Sequence, residues 1–140
     1  QFALVQAEPA LLPSAIEEVL RFNSPVQATV RRAATGMEFH GKHVAEGQSM
    51  VVFLGAANRD PKVFENPQTF DVRRTPNRHL AFGFGIHFCL GAPLARLEMK
   101  IVLEEFAKRY PKMRLREPDE AKHMHTFVFR APSALPVALQ

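Results

Sequence analysis

Cys89 is the only cysteine in 140 residues, and the chain frames it in an unusual way. Residues 79–98 read HLAFGFGIHFCLGAPLARLE, with Gly83 and Gly85 at alternate positions in an aromatic run before the cysteine and Gly91 just after it. Glycine permits positive φ and close approach, so this loop is expected to fold tightly around something large. Helical patterning starts almost at once, at Leu90. That places the sulfur at a helix N-terminus, where free N–H groups and the dipole favour thiolate over thiol. Four chemistries are open to such a sulfur: a buried structural thiol, a nucleophile with His87 as its base, a zinc ligand, or an axial thiolate to haem iron. Zinc wants about four ligands and finds one cysteine here. The flanking glycines and phenylalanines suit a flat apolar partner better than a catalytic base.

Composition narrows the classes. The length suffices for one domain with a core but not clearly for two, and no linker, repeat or low-complexity tract divides residues 1–140. An apolar content of 46% is that of an ordinary globular protein. No apolar run approaches the ~18 residues of a membrane span, and no signal peptide is visible. One cysteine forbids an internal disulfide and fits a reducing cytoplasm. The formal charge of +4 is modest, and its basic residues are not interleaved with aromatics as a nucleic-acid platform requires. The chain begins with Gln1 rather than methionine, so an N-terminal portion is expected to be missing.

Several elements must position the cysteine loop. Residues 1–12 read as the end of a helix and a connection. Pro13, Ser14 and Glu17 predict a helix start with a capping box, Ile16, Val19 and Leu20 form its apolar stripe, and residues 23–25 (Asn-Ser-Pro) stop it. Glu18 and Arg21 stand at i, i+3 on that helix, a spacing common for surface pairs. Residues 26–52 alternate as strands, with turns at Gly41 and Gly47. The stretch Ala57-Asn58-Arg59-Asp60-Pro61 reads as a turn into a long irregular segment over residues 64–78, and loops of that length are usually functional. After the cysteine, Leu90, Leu94, Leu97 and Ile101 make one stripe and Ala95, Met99, Val102 and Phe106 a second, predicting a helix buried on more than one face. It ends near Arg109-Tyr110-Pro111. The tail reads as strands at residues 113–116, 126–130 and 135–139. His40 with His43, and His123 with His125, lack a carboxylate or cysteine to complete a metal set and read as surface histidines.

Phe82, Gly85, His87, Cys89 and Gly91 together match F-x-x-G-x-[HR]-x-C-x-G, and Ala95 continues the pattern. With these residues the chain resembles the cytochrome P-450 family, over essentially its whole length and in the manner of the C-terminal part of a soluble bacterial member. The resemblance implies an α+β, mainly α, fold: an E-x-x-R helix, a small β-sheet, a meander, the cysteine-ligand loop, a long helix and a terminal β-hairpin. It makes Cys89 the iron ligand of haem b (iron protoporphyrin IX). It places Phe82, Gly83, Gly85, Leu90, Gly91 and Ala95 around that group, and His87 and Arg31 on its propionates. Arg32 is the alternative to Arg31, because adjacent strand residues face opposite ways. His79 is a further polar contact. Glu18 and Arg21 become the E-x-x-R pair, joined by Arg74, with Arg73 the alternative. Val26, Ala28, Thr29, Val128 and Phe129 resemble the segments that touch substrate.

The implied activity is a haem-thiolate monooxygenase that inserts one atom of O2 into a small apolar substrate. Its electrons would come from a ferredoxin-type or flavin reductase partner. A basic face near the loop, with Arg73, Arg74, Arg78, Arg96 and Lys100, is expected to receive that partner by electrostatic steering. No C-x-x-C-H attachment occurs, so haem would be held without covalent bonds to cysteine. The family's oxygen-activating [AG]-G-x-[DE]-T stretch is absent from this sequence, so the chain is expected to be a fragment that is inactive alone. A peroxide-driven peroxygenase and a non-catalytic haem-binding fragment are the alternatives.

Overall fold

The computed structural model describes residues 1–116, 124 and 126–139. Its elements run α1 (Phe2–Ala7), a single 3-10 turn (Pro9–Leu11), α2 (Leu12–Phe22), β1 (Ala28–Arg32), β2 (Met37–Phe39), β3 (Lys42–Val44), β4 (Ser49–Phe53) and α3 (Leu54–Ala57). An irregular stretch and a second 3-10 turn (Gly85–His87) lead to α4 (Ala92–Arg109), then β5 (Arg114–Leu115) and β6 (Val137–Ala138). The mixed helix and small-sheet architecture is the one expected. His123 and His125 lie outside the described residues, and among the described residues no group of metal-ligating side chains forms.

The strands pair antiparallel in three couples, β1 with β4, β2 with β3 and β5 with β6. The first couple matters most. Thr29 faces Val52 and Arg31 faces Met50, so the two-residue period puts Thr29 and Arg31 on one side and Arg32 on the other. Arg32 spends its Nε on Gly47 O at 2.9 Å. The expected strand at 126–130 shrinks to one bridge, Val26 with Phe129, flanked by Gln27 N donating to Val128 O and Arg130 N donating to Pro25 O.

The core is built around α2. Leu12, Ile16 and Leu20 bury one stripe against Ala81, with Val5, Phe82, Met99 and Leu103 packed on it. At about 1.5–3 kcal/mol for each large side chain buried, this cluster is what fastens α2 to α4 and to the root of the cysteine loop. Val19, read as part of that stripe, is 42% exposed, because the inward arc at its height belongs to Glu18. The helix start also differs. Ser14 does not cap: its hydroxyl donates, shared between Leu11 O and Val72 O, and the helix opens at Leu12 with no side-chain cap. Glu17 is drawn away to Arg96 and His79.

The long helix starts two residues later than its pattern suggested, at Ala92, which is fully buried. Of its two stripes, only Met99, with the neighbouring Leu103, packs on α2; Leu94, Leu97, Ile101, Val102 and Phe106 remain exposed. Burial on more than one face is therefore not supplied by the described residues. Among them no helix is long and apolar enough to cross a membrane.

Candidate functional site

A buried ion network holds the site's supports together. Glu18 and Arg21 are both completely buried on α2, and Arg21 donates Nε to Oε2 at 2.7 Å and Nη2 to Oε1 at 2.8 Å. Arg74 adds Nε at 3.1 and 3.2 Å, Asn77 Nδ2 lies 3.1 Å from Oε2, and Asp71 N donates to Oε1 at 2.9 Å. Burial penalises the Glu18 anion, yet these donors outweigh it and hold the carboxyl below its ordinary pKa. Arg21 spends its remaining N–H groups on Asn58 O, Pro67 O and Thr69 O, while Arg74 takes Glu65 O, Asn66 O and Thr69 O. One helix thus pins the irregular stretch before the loop at many points. Arg74, not Arg73, joins Glu18; Arg73 turns out to Glu8.

Asn58 is a second tie that the sequence hid inside a turn signature. It is completely buried, donates Nδ2 to Ser24 Oγ at 2.7 Å and accepts Leu80 N on Oδ1 at 2.7 Å. It therefore joins the C-terminal end of α2 to the first residues of the cysteine loop. Arg59 lies 4.0 Å over the Phe22 ring and donates to Phe22 O at 2.6 Å. No sequence signal pointed to this tie, and α3 falls between the expected strands, which end at residue 52, and the turn expected from Ala57.

Between β1, β4, the end of α2 and the cysteine loop lies an open cavity of about 490 Å³. Cys89, His87, Phe82, Gly83, Arg31, Thr29 and Val26 all line it, with Leu20, Leu54, Leu80 and Val52 supplying apolar wall. Cys89 is exposed, and its N–H donates to Phe82 O at 2.8 Å, which closes the loop on itself. Gly83 turns at φ +76°, and a Cβ there would stand 3.1 Å from His87 O; a Cβ on Gly91 would stand 3.8 Å from the sulfur. Gly83→Ala is therefore expected to cost about 1–2 kcal/mol of αL strain and to displace His87. A lower urea midpoint would show it.

Several expected contacts are placed elsewhere. Ala28 is 1% exposed and packed in the core, since the strand alternation turns it away from Thr29 and the cavity. Val128 and Phe129 run alongside Val26 but do not line the cavity, and Phe129 is 51% exposed. Gly85, Leu90 and Ala95 do not line it either; Leu90 is 98% exposed. His79 is turned away and almost fully enclosed, with Nε2 2.9 Å from Glu17 Oε2 and Nδ1 accepting Ala81 N at 3.2 Å. It is not a wall residue. Most cations of the expected basic face have carboxylate partners. Arg74 is on Glu18, Arg96 on Glu17, Arg73 on Glu8 and Lys100 beside Glu104, leaving Arg78 as the one exposed cation of the five without a carboxylate partner among the described residues.

The donor set has a definite chemical meaning. One thiol, two basic side chains and otherwise apolar walls fit a flat apolar macrocycle with anionic tails and an axial thiolate, which is what haem requires. They do not fit zinc: among the described residues no group of three or more metal-ligating side chains forms.

A family model described as Cytochrome P450 matches residues 7–135. Among curated relatives, the polyketide biosynthesis cytochrome P450 PksS of Bacillus subtilis is 42% identical over 137 residues, covering 96% of this chain and 34% of that protein. A steroid C26-monooxygenase of Mycobacterium tuberculosis is 49% identical over 115 residues, covering 82% of this chain and 31% of its own. Among solved structures, CYP109E1 from Bacillus megaterium in complex with testosterone superposes with a TM-score of 0.94 at 44% identity, covering 99% of this chain and 38% of that one. The chain thus spans about a third of the length of these relatives.

Proposed function

Since this chain belongs to the cytochrome P450 family, we propose that it is the C-terminal part of a single-domain haem-thiolate monooxygenase and supplies the sulfur ligand and one side of the haem pocket. The observation that carries this is the cavity that gathers Cys89, His87 and Arg31 within apolar walls. Haem b is the group these residues would hold, and when bound it supplies activation of O2, with one oxygen atom entering the substrate and the other leaving as water. Cys89, as thiolate, would be the protein's ligand to the haem iron. Arg31 and His87, which line the same cavity, would bind the propionates by charge-assisted hydrogen bonds. Phe82 would cover the sulfur once haem is bound, and Gly83 and Gly91 would let the backbone approach closely. Val26, Thr29 and Val52 give the substrate side an apolar surface, which fits a small apolar molecule. Two electrons come from a ferredoxin-type or flavin reductase. We place the enzyme in the cytoplasm, where a lone cysteine stays reduced.

The test uses the full-length, haem-loaded protein with reductant, labelled O2 and a panel of apolar substrates. One labelled oxygen atom in the product is the expected result. Turnover with hydrogen peroxide and no reductant would make it a peroxygenase, and haem binding without any product would leave a binding fragment. Arg31→Ala and His87→Ala are each expected to weaken haem binding by about tenfold, the worth of one charged hydrogen bond.

A further inference from the structure

Glu17 sits beside the E-x-x-R pair, yet its carboxylate points elsewhere. Arg96 donates Nε to Oε1 at 2.6 Å and Nη2 to Oε2 at 2.8 Å, a bidentate pair, and His79 approaches Oε2 at 2.9 Å. These two partners stand on opposite sides of Cys89 in the chain. His79 opens the loop and Arg96 lies in the first turns of α4. The Arg96 guanidinium also lies 4.6 Å from the centre of the Phe82 ring, and Phe82 O accepts the Cys89 N–H. From α2, a single carboxylate therefore holds both ends of the loop and, through Arg96, reaches the ring of the residue whose carbonyl accepts the Cys89 N–H.

We propose that Glu17 is a positioning residue for Cys89, acting through Arg96 and His79, and that the clamp is complete only with His79 neutral. The inference rests on the haem-thiolate reading above. The hydrogen-bond pattern dictates the tautomer. Ala81 N–H donates to Nδ1, so that nitrogen carries the lone pair, and Nε2 carries the proton given to Glu17. A second proton would occupy Nδ1 and break the bond to Ala81 at the root of the loop. The charged groups facing His79 are Glu17 and Arg21 from α2 and Arg96 from α4. Burial lowers the His79 pKa more than Glu17 raises it, so the neutral form is the resting one. Glu17 itself is held below the ordinary carboxylate range, first by Arg96.

The readout is the Soret band of the reduced carbon-monoxide complex of the full-length, haem-loaded protein, recorded against pH and normalised to folded protein by circular dichroism. The wild type is expected to show a thiolate-type band that converts to the thiol type as pH falls through and below the ordinary histidine range. In Glu17→Gln and in Arg96→Gln the thiol-type fraction at neutral pH should rise about tenfold, as expected for losing a hydrogen bond to a charged group. His79→Gln, which keeps a donor for Glu17 but does not titrate, should flatten the pH profile across that range. Wild-type spectra and pH profile in all three folded variants would overturn the positioning role while leaving the haem-thiolate reading intact. A wild type without any thiolate-type band would overturn that reading, and the clamp with it.

Discussion

Glu18→Gln is expected to lower the free energy of unfolding by about 3–5 kcal/mol, the cost of removing one partner from a buried ion pair. Against a total of about 5–15 kcal/mol for a typical protein, that is a large share. The substitution keeps the side-chain volume, so the loss is electrostatic and not a cavity effect. Arg21 would be left completely buried with its counter-charge gone, and the Gln amide would present N–H groups to the Arg21, Arg74 and Asn77 donors. Urea unfolding of the two proteins checks it. A pH series adds a sign. The Glu18 carboxyl is held below its ordinary value, so its stabilisation is fully present above the ordinary carboxylate range and fades as pH falls through the lower, folded value. Glu18→Gln should lose that share of the acid dependence. A change below about 1 kcal/mol would mean the pair is worth no more than a surface one.

Cys89→Ser is expected to remove the thiolate-type Soret band of the reduced carbon-monoxide complex entirely and to take product formation to background. A serine hydroxyl stays protonated at neutral pH and is a far poorer donor to iron, while the loop bond from residue 89 N to Phe82 O needs no sulfur and should survive. The variant therefore separates ligation from folding. An unchanged urea midpoint in the haem-free protein with a lost band is the expected pair of results. A thiolate-type band retained in Cys89→Ser would remove this residue from the ligand role and return it to an inert exposed thiol.

The two experiments probe features that were legible to different degrees. Cys89 stood out because it is unique and because its glycine and aromatic neighbours serve no ordinary helix or strand. The α2 pair was visible only as i, i+3 spacing, which a surface helix would show equally. Its partners lie 37 to 59 residues away in the chain, and three of its contacts, with Asn58, Pro67 and Thr69, are to backbone carbonyls that carry no sequence signal. Glu17 was read as half of a capping box for the same reason. Local spacing suggested the nearest partner, whereas Arg96, 79 residues on, makes the better bidentate pair.

What the sequence indicated by itself was the unusual framing of Cys89, most of the elements in their order and the family, since each rests on residue type and short spacing. Choosing between equivalent neighbours fell to the tertiary structure. The β1–β4 register put Arg31, and not Arg32, on the wall of the cavity that Cys89 also lines, and turned Ala28 away from it. The chain's path around α2 delivered Arg74 to Glu18 and left Arg73 outside. The buried Glu18 and the part-exposed Glu17 on α2, with Glu8 and Glu104, pair with four of the five cations that looked like a docking face. In each case the deciding quantity is direction and distance between segments far apart in the chain, because hydrogen bonds and ion pairs act over a few ångströms in space, whatever the separation in sequence.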